Sequence, residues 1–228
     1  MSVQRPITAP SPEISVVIPT LPSNDTATVV EYLERQTFNG FEVIVVNDAD
    51  LDICEARNEG IKVSNGAVVA LTDDDCQPGP DWLSTIRNAF QSETDLVCLE
   101  GSVHGGRTYE GTRRYVGCNL AFDREAARTV GGFRSDYAGW RDDTEFGWRM
   151  ERDASGQCGY SGRVRMHHPP VPRAKIDEDI EARLRSEYPD RYEEIIVPNS
   201  ALARINDWLW RRGIWDAIDR IRYRGDYQ

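Results

Sequence analysis

Four short runs of β-branched and other apolar residues recur between amphipathic stretches, and two of these runs end abruptly in clusters of acids. The runs are Ile14-Ser15-Val16-Val17-Ile18, closed by Pro19, then Val43–Val46, Val68–Leu71 and Leu96–Leu99. Between them lie three stretches of helical period. In the first, Asp25 or Thr26 can cap a helix that puts Val29, Val30 and Leu33 on one face. The second covers Ile53–Val63, and the third starts at Pro80 and runs through Trp82, Ile86 and Phe90. Strands this uniformly apolar, alternating with helices, predict parallel pairing with helices on both faces. In such sheets ligands bind beyond the carboxyl ends of the strands. Those ends read Asn47-Asp48-Ala49-Asp50 after the second run and Thr72-Asp73-Asp74-Asp75 after the third.

The pattern changes after residue 100. A polar loop around Gly105-Gly106-Arg107 precedes Gly117-Cys118-Asn119-Leu120-Ala121-Phe122, which reads as a strand. Asp123 caps a short helix stopped by Gly131-Gly132-Phe133. Asp142–Arg152 reads as a helix with acids in its first turn, and Val164-Arg165-Met166 as a last short strand before His167-His168. Residues 1–12, with three prolines and no periodicity, read as a loose lead-in. From Lys175 the chain becomes helical and charged, so the expected organisation is an α/β domain over 1–174 and a helical extension over 175–228.

Composition narrows the partners. The 228 residues carry a net charge of −11, and of 27 basic residues only Lys62 and Lys175 are lysines. An acidic, lysine-poor surface suits a chain that stays hydrated in concentrated salt, and it disfavours nucleic acid as a partner. No run of about 18 apolar residues offers a spanning helix, and the N-terminus lacks the apolar core of a secretory signal, so the expected compartment is the cytoplasm. The five cysteines, Cys54, Cys76, Cys98, Cys118 and Cys158, are odd in number and contain no CxxC pair. That spacing argues against a disulfide framework or a thiolate zinc site and for small buried thiols.

Asp73-Asp74-Asp75 is the strongest chemical feature. Three adjacent like charges repel unless a cation sits among them, and hard oxygen donors suit Mg2+ or Mn2+. At a strand end residues i and i+2 point to the same side, so Asp73 and Asp75 can converge.

Taken in order, Pro19-Thr20 at one strand end, Asn47-Asp48 at the next, the helix Ala56-Arg57-Asn58-Glu59-Gly60, and then the aspartates resemble a family-2 glycosyltransferase of the GT-A fold. The later run from Gly117 through Gly131-Gly132-Phe133 to Trp140-Arg141-Asp142-Asp143-Thr144-Glu145 resembles that family's acceptor-side region. The likeness covers roughly residues 13–170. It implies one mostly parallel nucleotide-binding sheet flanked by helices, and an inverting transfer of sugar from a nucleoside-diphosphate sugar to a glycan or lipid-linked acceptor.

The resemblance also implies roles. Pro19 and Thr20 line the base pocket, and Asp48 accepts a hydrogen bond from the base. The family more often has Asp-Asp here, so Asn47 competes with Asp48 for that role. Arg57 contacts the base or a phosphate. Asp73 and Asp75 match the outer positions of a DxD motif, with Asp75 the first choice as metal ligand, and Asp74 meets the ribose or sugar. His168 completes the Mn2+ or Mg2+ site, with His167 as the alternative. Asp142-Asp143 stands where the family carries Glu-Asp, which makes Asp143 the general base. Such a base must be ionised, a form that a helix N-terminus favours.

Two rivals are weaker. A sugar-nucleotide pyrophosphorylase needs a Gly-rich phosphate loop, which Ile18-Pro19-Thr20-Leu21-Pro22 lacks. An acidic cation-binding scaffold would not require the whole acid set. In the tail, Trp208, Trp210 and Trp215 with Arg211, Arg212, Arg220, Arg222 and Arg224 suit a helix lying on a membrane face. Asp207, Asp216, Asp219 and Asp226 dilute that charge, so packing against the catalytic domain or a dimer contact are the other readings.

Overall fold

A computed structural model of the chain describes residues 2–106, 108–172 and 174–222. They divide into two compact units, Met1–Pro169 and Pro170–Gln228.

The first unit is built on one eight-stranded sheet. Its strands are β1 (Ser2–Gln4), β2 (Ile14–Thr20), β3 (Phe41–Asn47), β4 (Val68–Leu71), β5 (Gln77–Pro78), β6 (Leu96–Gly105), β7 (Leu120–Asp123) and β8 (Gln157–His168). Their spatial order is β1-β3-β2-β4-β7-β6-β8-β5. β3, β2 and β4 pair in parallel, as the alternation of strand and helix requires. β7 inserts antiparallel between β4 and β6, and β8 runs parallel to β6. Thus β2, β3, β4, β6 and β8 share one direction, a mostly parallel sheet with antiparallel β1, β7 and β5.

Helices α1 (Ala27–Glu34), α2 (Ile53–Val63), α3 (Trp82–Ser92), α4 (Arg124–Thr129) and α5 (Asp142–Asp153) complete the unit. The start of α2 is fixed by a capping box. Asp52 accepts from the Glu55 backbone at 2.9 Å, while the Glu55 carboxylate accepts from the Asp52 backbone at 2.9 Å. Ile14, Val16 and Ile18 of β2 and Val43 and Val45 of β3 pack with Val29, Leu33, Trp82, Leu83 and Ile86 in one buried core. Each fully buried side chain of this size contributes about 1.5–3 kcal/mol.

The structure corrects several expectations. The lead-in is not wholly loose, because Ser2–Gln4 pairs with β3 through backbone bonds that need no apolar pattern. The expected 117–122 strand is extended only from Leu120, as β7 to Asp123; Gly117–Asn119 is a 3-10 turn. β6 and β8 run far beyond the apolar cores Leu96–Leu99 and Val164–Met166, since β8 is largely exposed and carries few apolar residues. β5, two residues long, has no periodicity to betray it.

The second unit is helical: α6 (Glu178–Glu187), one-turn α7 (Pro189–Arg191), α8 (Ala201–Arg211) and α9 (Ile214–Arg222). Asp177 and Ser200 cap α6 and α8, and Gly213 at φ +69° separates α8 from α9. Arg211 bridges Glu178 at 2.7 Å and Asp207 at 2.9 Å. Leu202 and Trp208 on α8 are 81% and 53% exposed. Among the described residues no helix is long and apolar enough to cross a membrane. Arg107, Arg224 and Asp226 lie outside the described residues.

Candidate active site

The carboxyl ends of β2, β3 and β4 bring three of the expected elements together. Thr20 and Asn47 are register partners on β2 and β3. Pro19 is buried beside them, and Asn47 Oδ1 is buried without a hydrogen-bond partner. Asp48 lies just past that pairing, where its carboxylate accepts the Asp50 N–H at 3.0 Å; this bond holds the carboxyl below its ordinary value. Thr20 Oγ1 donates to Asp74 at 2.5 Å and Asn24 Nδ2 donates to the same oxygen at 2.8 Å, so Asp74 ties β2 to the end of β4.

β4 stops at Leu71, before the aspartates, so strand alternation does not place them. A turn does: Cys76 N–H bonds Asp73 O at 3.3 Å. Asp73 and Asp75 then flank the end of β8. His168 donates Nδ1–H to Pro169 O at 2.7 Å, which leaves the Nε2 lone pair 3.7 Å from Asp75 Oδ1. His167 alternates to the exposed side of β8.

The most tightly gathered donor atoms differ from the expected set. Asp73, Cys76, Cys118 and His168 each put one such atom within 4.8 Å of all the others. Asp75 is not among them, although it is the neighbour of both Cys76 and His168. The cysteine spacing gave no warning, because Cys76 follows β4 and Cys118 sits in the 3-10 turn before β7; only the β4–β7 pairing unites them. Asp73 makes no side-chain hydrogen bond among the described residues. Desolvation pushes its carboxyl up, Arg57 and His168 oppose that, and Asp75 and Asp74 reinforce it. Hence Asp73, although only half-buried by exposure, is a desolvated acid among acids, an arrangement that a divalent cation fits.

On the other side, α5 follows Arg141, held in the left-handed region at φ +66°. Asp142 is buried and paired with the Arg57 guanidinium of α2, itself 6% exposed and 5.1 Å over the Phe133 ring. Arg57 is therefore no ordinary helix-surface arginine, and its Nε is buried without a partner. Asp143 Oδ2 accepts the Gly117 N–H at 2.8 Å, and Oδ1 accepts the Thr144 N–H at 2.7 Å. A Cβ on Gly117 would lie 2.6 Å from an Arg57 nitrogen and 3.5 Å from Asp143 Cβ, so the glycine lets both approach. The thiol of neighbouring Cys118 feels the charges of both Asp73 and Asp143. The two acid sets therefore meet around Gly117-Cys118.

Residues given no role by the sequence build the surroundings. Asn119 donates to Ser102 O and Val164 O at 2.9 Å each and accepts from Trp82 Nε1 at 2.8 Å, which locks the turn carrying Gly117 and Cys118. Buried Glu100 accepts the N–H groups of Arg113 and Tyr115 at 3.0 Å each. Both of those residues have positive φ. No pattern in the sequence links these segments.

A mostly parallel sheet with acids gathered past its strand ends, an inserted antiparallel strand and a second acid set at the start of α5 defines a GT-A-type fold. Residues 50–156, just under half of the chain, match the family model Glycosyl transferase family 2. A stretch of 116 residues is 28% identical to glucosyl-dolichyl phosphate glucuronosyltransferase of Haloferax volcanii, covering 40% of this chain and 37% of that protein. The fold is similar to S. aureus TarS 1-349 in complex with UDP-GlcNAc, at TM-score 0.62, 16% identity, 76% of this chain and 65% of that one. It is also similar to the catalytic domain of Drosophila beta1,4galactosyltransferase 7 complexed with xylobiose, at TM-score 0.51, 22% identity, 65% of this chain and 64% of that one. The chain thus spans well under half of the curated relative and under two thirds of these solved chains.

Proposed function

We propose that the protein transfers a sugar from a nucleoside-diphosphate sugar to a hydroxyl of a glycan or lipid-linked acceptor, with inversion at the anomeric carbon. The observation that carries this reading is the meeting of Asp73, Asp75 and His168 with the oriented carboxylate of Asp143 around one short turn. The H. volcanii relative's name, a transferase acting on glucosyl-dolichyl phosphate, favours a lipid-linked sugar as acceptor. A peripheral membrane contact through exposed Leu202 and Trp208 fits such an acceptor.

The donor base stacks at Pro19 and Thr20, and Asn47 offers it an unpartnered acceptor beside Asp48. Asp73, Asp75 and His168 would hold Mn2+ or Mg2+, with Asp74 steadied by Thr20 toward the ribose or sugar. Such an ion would supply positive charge to a departing diphosphate. Asp143 accepts the proton of the attacking hydroxyl while the new C–O bond forms and the bond to the diphosphate breaks. The Gly117 and Thr144 N–H groups aim its carboxylate. Arg57 neutralises Asp142 and sets the positive field near Asp73.

Calorimetry with UDP-, GDP- and dTDP-sugars, with Mn2+ and with chelator, tests the reading. Binding of one donor class that needs the ion, followed by transfer with an inverted product, supports it. Ion-independent binding, or binding with no transfer to any lipid-linked or glycan acceptor, would leave a scaffold.

A further inference from the structure

The cluster at the end of β4 holds two donors that a site for a hard cation does not call for. Mg2+ takes oxygen ligands, whereas thiolates select thiophilic ions such as Zn2+. Cys76 and Cys118 are 0% and 3% exposed, while Asp73 and His168 are half-buried and so keep contact with solvent. Three separate constraints hold the four donors. The Asp73–Cys76 turn bond sets the first pair, the Asn119 bonds fix the turn that carries Cys118, and the His168 Nδ1–H bond to Pro169 O aims Nε2 inward. Four donors on a zinc tetrahedron, at about 2.0–2.3 Å from the ion, lie about 3.3–3.8 Å apart. The present spread of at most 4.8 Å closes to that with movements of about 1 Å, within reach of side-chain rotation.

We propose that Asp73, Cys76, Cys118 and His168 form a site for one thiophilic divalent cation such as Zn2+. Each thiol gives its proton to solvent on ligation. Because Asp73 and His168 are shared with the oxygen-donor set, a thiophilic ion and Mn2+ exclude one another, and zinc silences the transferase. That second part rests on the proposed function; the first part does not.

Reduced wild-type protein titrated with Co2+ provides the test. The expected result is one Co2+ per chain with tetrahedral visible bands and a thiolate-to-cobalt charge-transfer band, all displaced by Zn2+. The charge-transfer band should fall by about half in Cys76→Ser and in Cys118→Ser, vanish in the double variant, and persist in Cys98→Ser. Wild-type protein that binds Co2+ without that band overturns the site, and needs no variant to fold. A band that survives in the folded double variant also overturns it. Excess Mn2+ that leaves the Co2+ bands unchanged overturns the exclusion alone. If the bands appear but no donor binds with Mn2+, the transferase reading fails and the thiophilic site stands.

Discussion

The donor side and the acceptor side of the first unit both concentrate carboxylates, yet they treat them in opposite ways. On the acceptor side each acid is answered: Asp142 by Arg57, Glu145 by Arg149 at 2.8 Å, Glu151 by Arg113 at 2.7 Å, and Asp143 by two backbone N–H groups. On the donor side Asp74 is held by Thr20 and Asn24, but the Asp73 carboxylate makes no side-chain hydrogen bond among the described residues, and Asp75 has His168 at 3.7 Å and the Cys76 thiol near it. Paired acids build a rigid wall that holds one carboxylate in a set direction. Unanswered acids are a cost of folding that, in the proposed function, a cation and a diphosphate would recover on binding. The difference separates structural charge from binding charge within one cleft.

The largest expected effect breaks the acceptor wall at its chemical end. Asp143→Asn should lower kcat by about 10²–10⁴-fold, the usual worth of a general base, while calorimetric donor affinity stays unchanged. A loss of donor binding instead would move Asp143 to the donor side of the contrast. Next comes the wall itself. Arg57→Met leaves Asp142 buried and unpaired, and denaturant unfolding should record a loss of about 3–5 kcal/mol. A double variant that also replaces Asp142 by Leu should recover most of that loss; if it does not, the Arg57 contacts with Phe133 and the loop matter more than the ion pair.

Asp73→Asn tests the opposite treatment. It removes a desolvated charge that faces Asp74 and Asp75, so the ion-free protein should become more stable by about 0.5–2 kcal/mol in thermal unfolding. The same substitution should abolish Mn2+-dependent donor binding. Destabilisation would mean that Asp73 belongs to the framework after all.

These contrasts were unequally legible in the sequence. The donor side came almost whole from apolar runs, because β2, β3 and β4 are buried on both faces and adjacent in space, so local pattern and tertiary position agree. The acid clusters followed because strand ends are where such runs stop. The acceptor side was legible only as a string of motifs. Gly117-Cys118-Asn119 read as strand but forms a turn whose geometry is imposed by Asn119 bonding to β6 and β8. Arg57 pairing with Asp142, and Cys76 meeting Cys118, join segments far apart in the chain, and no periodicity encodes such encounters.

The smallest effect is a difference in sign across pH. In Glu42, at the start of β3, burial raises the carboxyl, but Ser15 at 2.7 Å, Asn65 and Arg5 outweigh it and hold it below its ordinary 4.5. Its stabilisation is therefore complete above that value and is lost as pH falls through the lowered folded value. In Glu100, on β6, burial outweighs the bonds from Arg113, Tyr115 and Arg114, and the carboxyl sits above 4.5. The folded state then keeps a proton that the unfolded chain has released, so stability declines as pH rises from 4.5 through the raised value. Glu42→Gln should flatten the acid limb of the stability curve, and Glu100→Gln the limb just above it. Each slope is limited to one proton, about 1.4 kcal/mol per pH unit. Denaturant unfolding of both variants between pH 3 and 7, roughly the range that brackets ordinary carboxylates, reads the two slopes. Slopes of the same sign would mean that burial is not what distinguishes Glu100, and that its three backbone donors hold it ionised as firmly as the partners of Glu42 do.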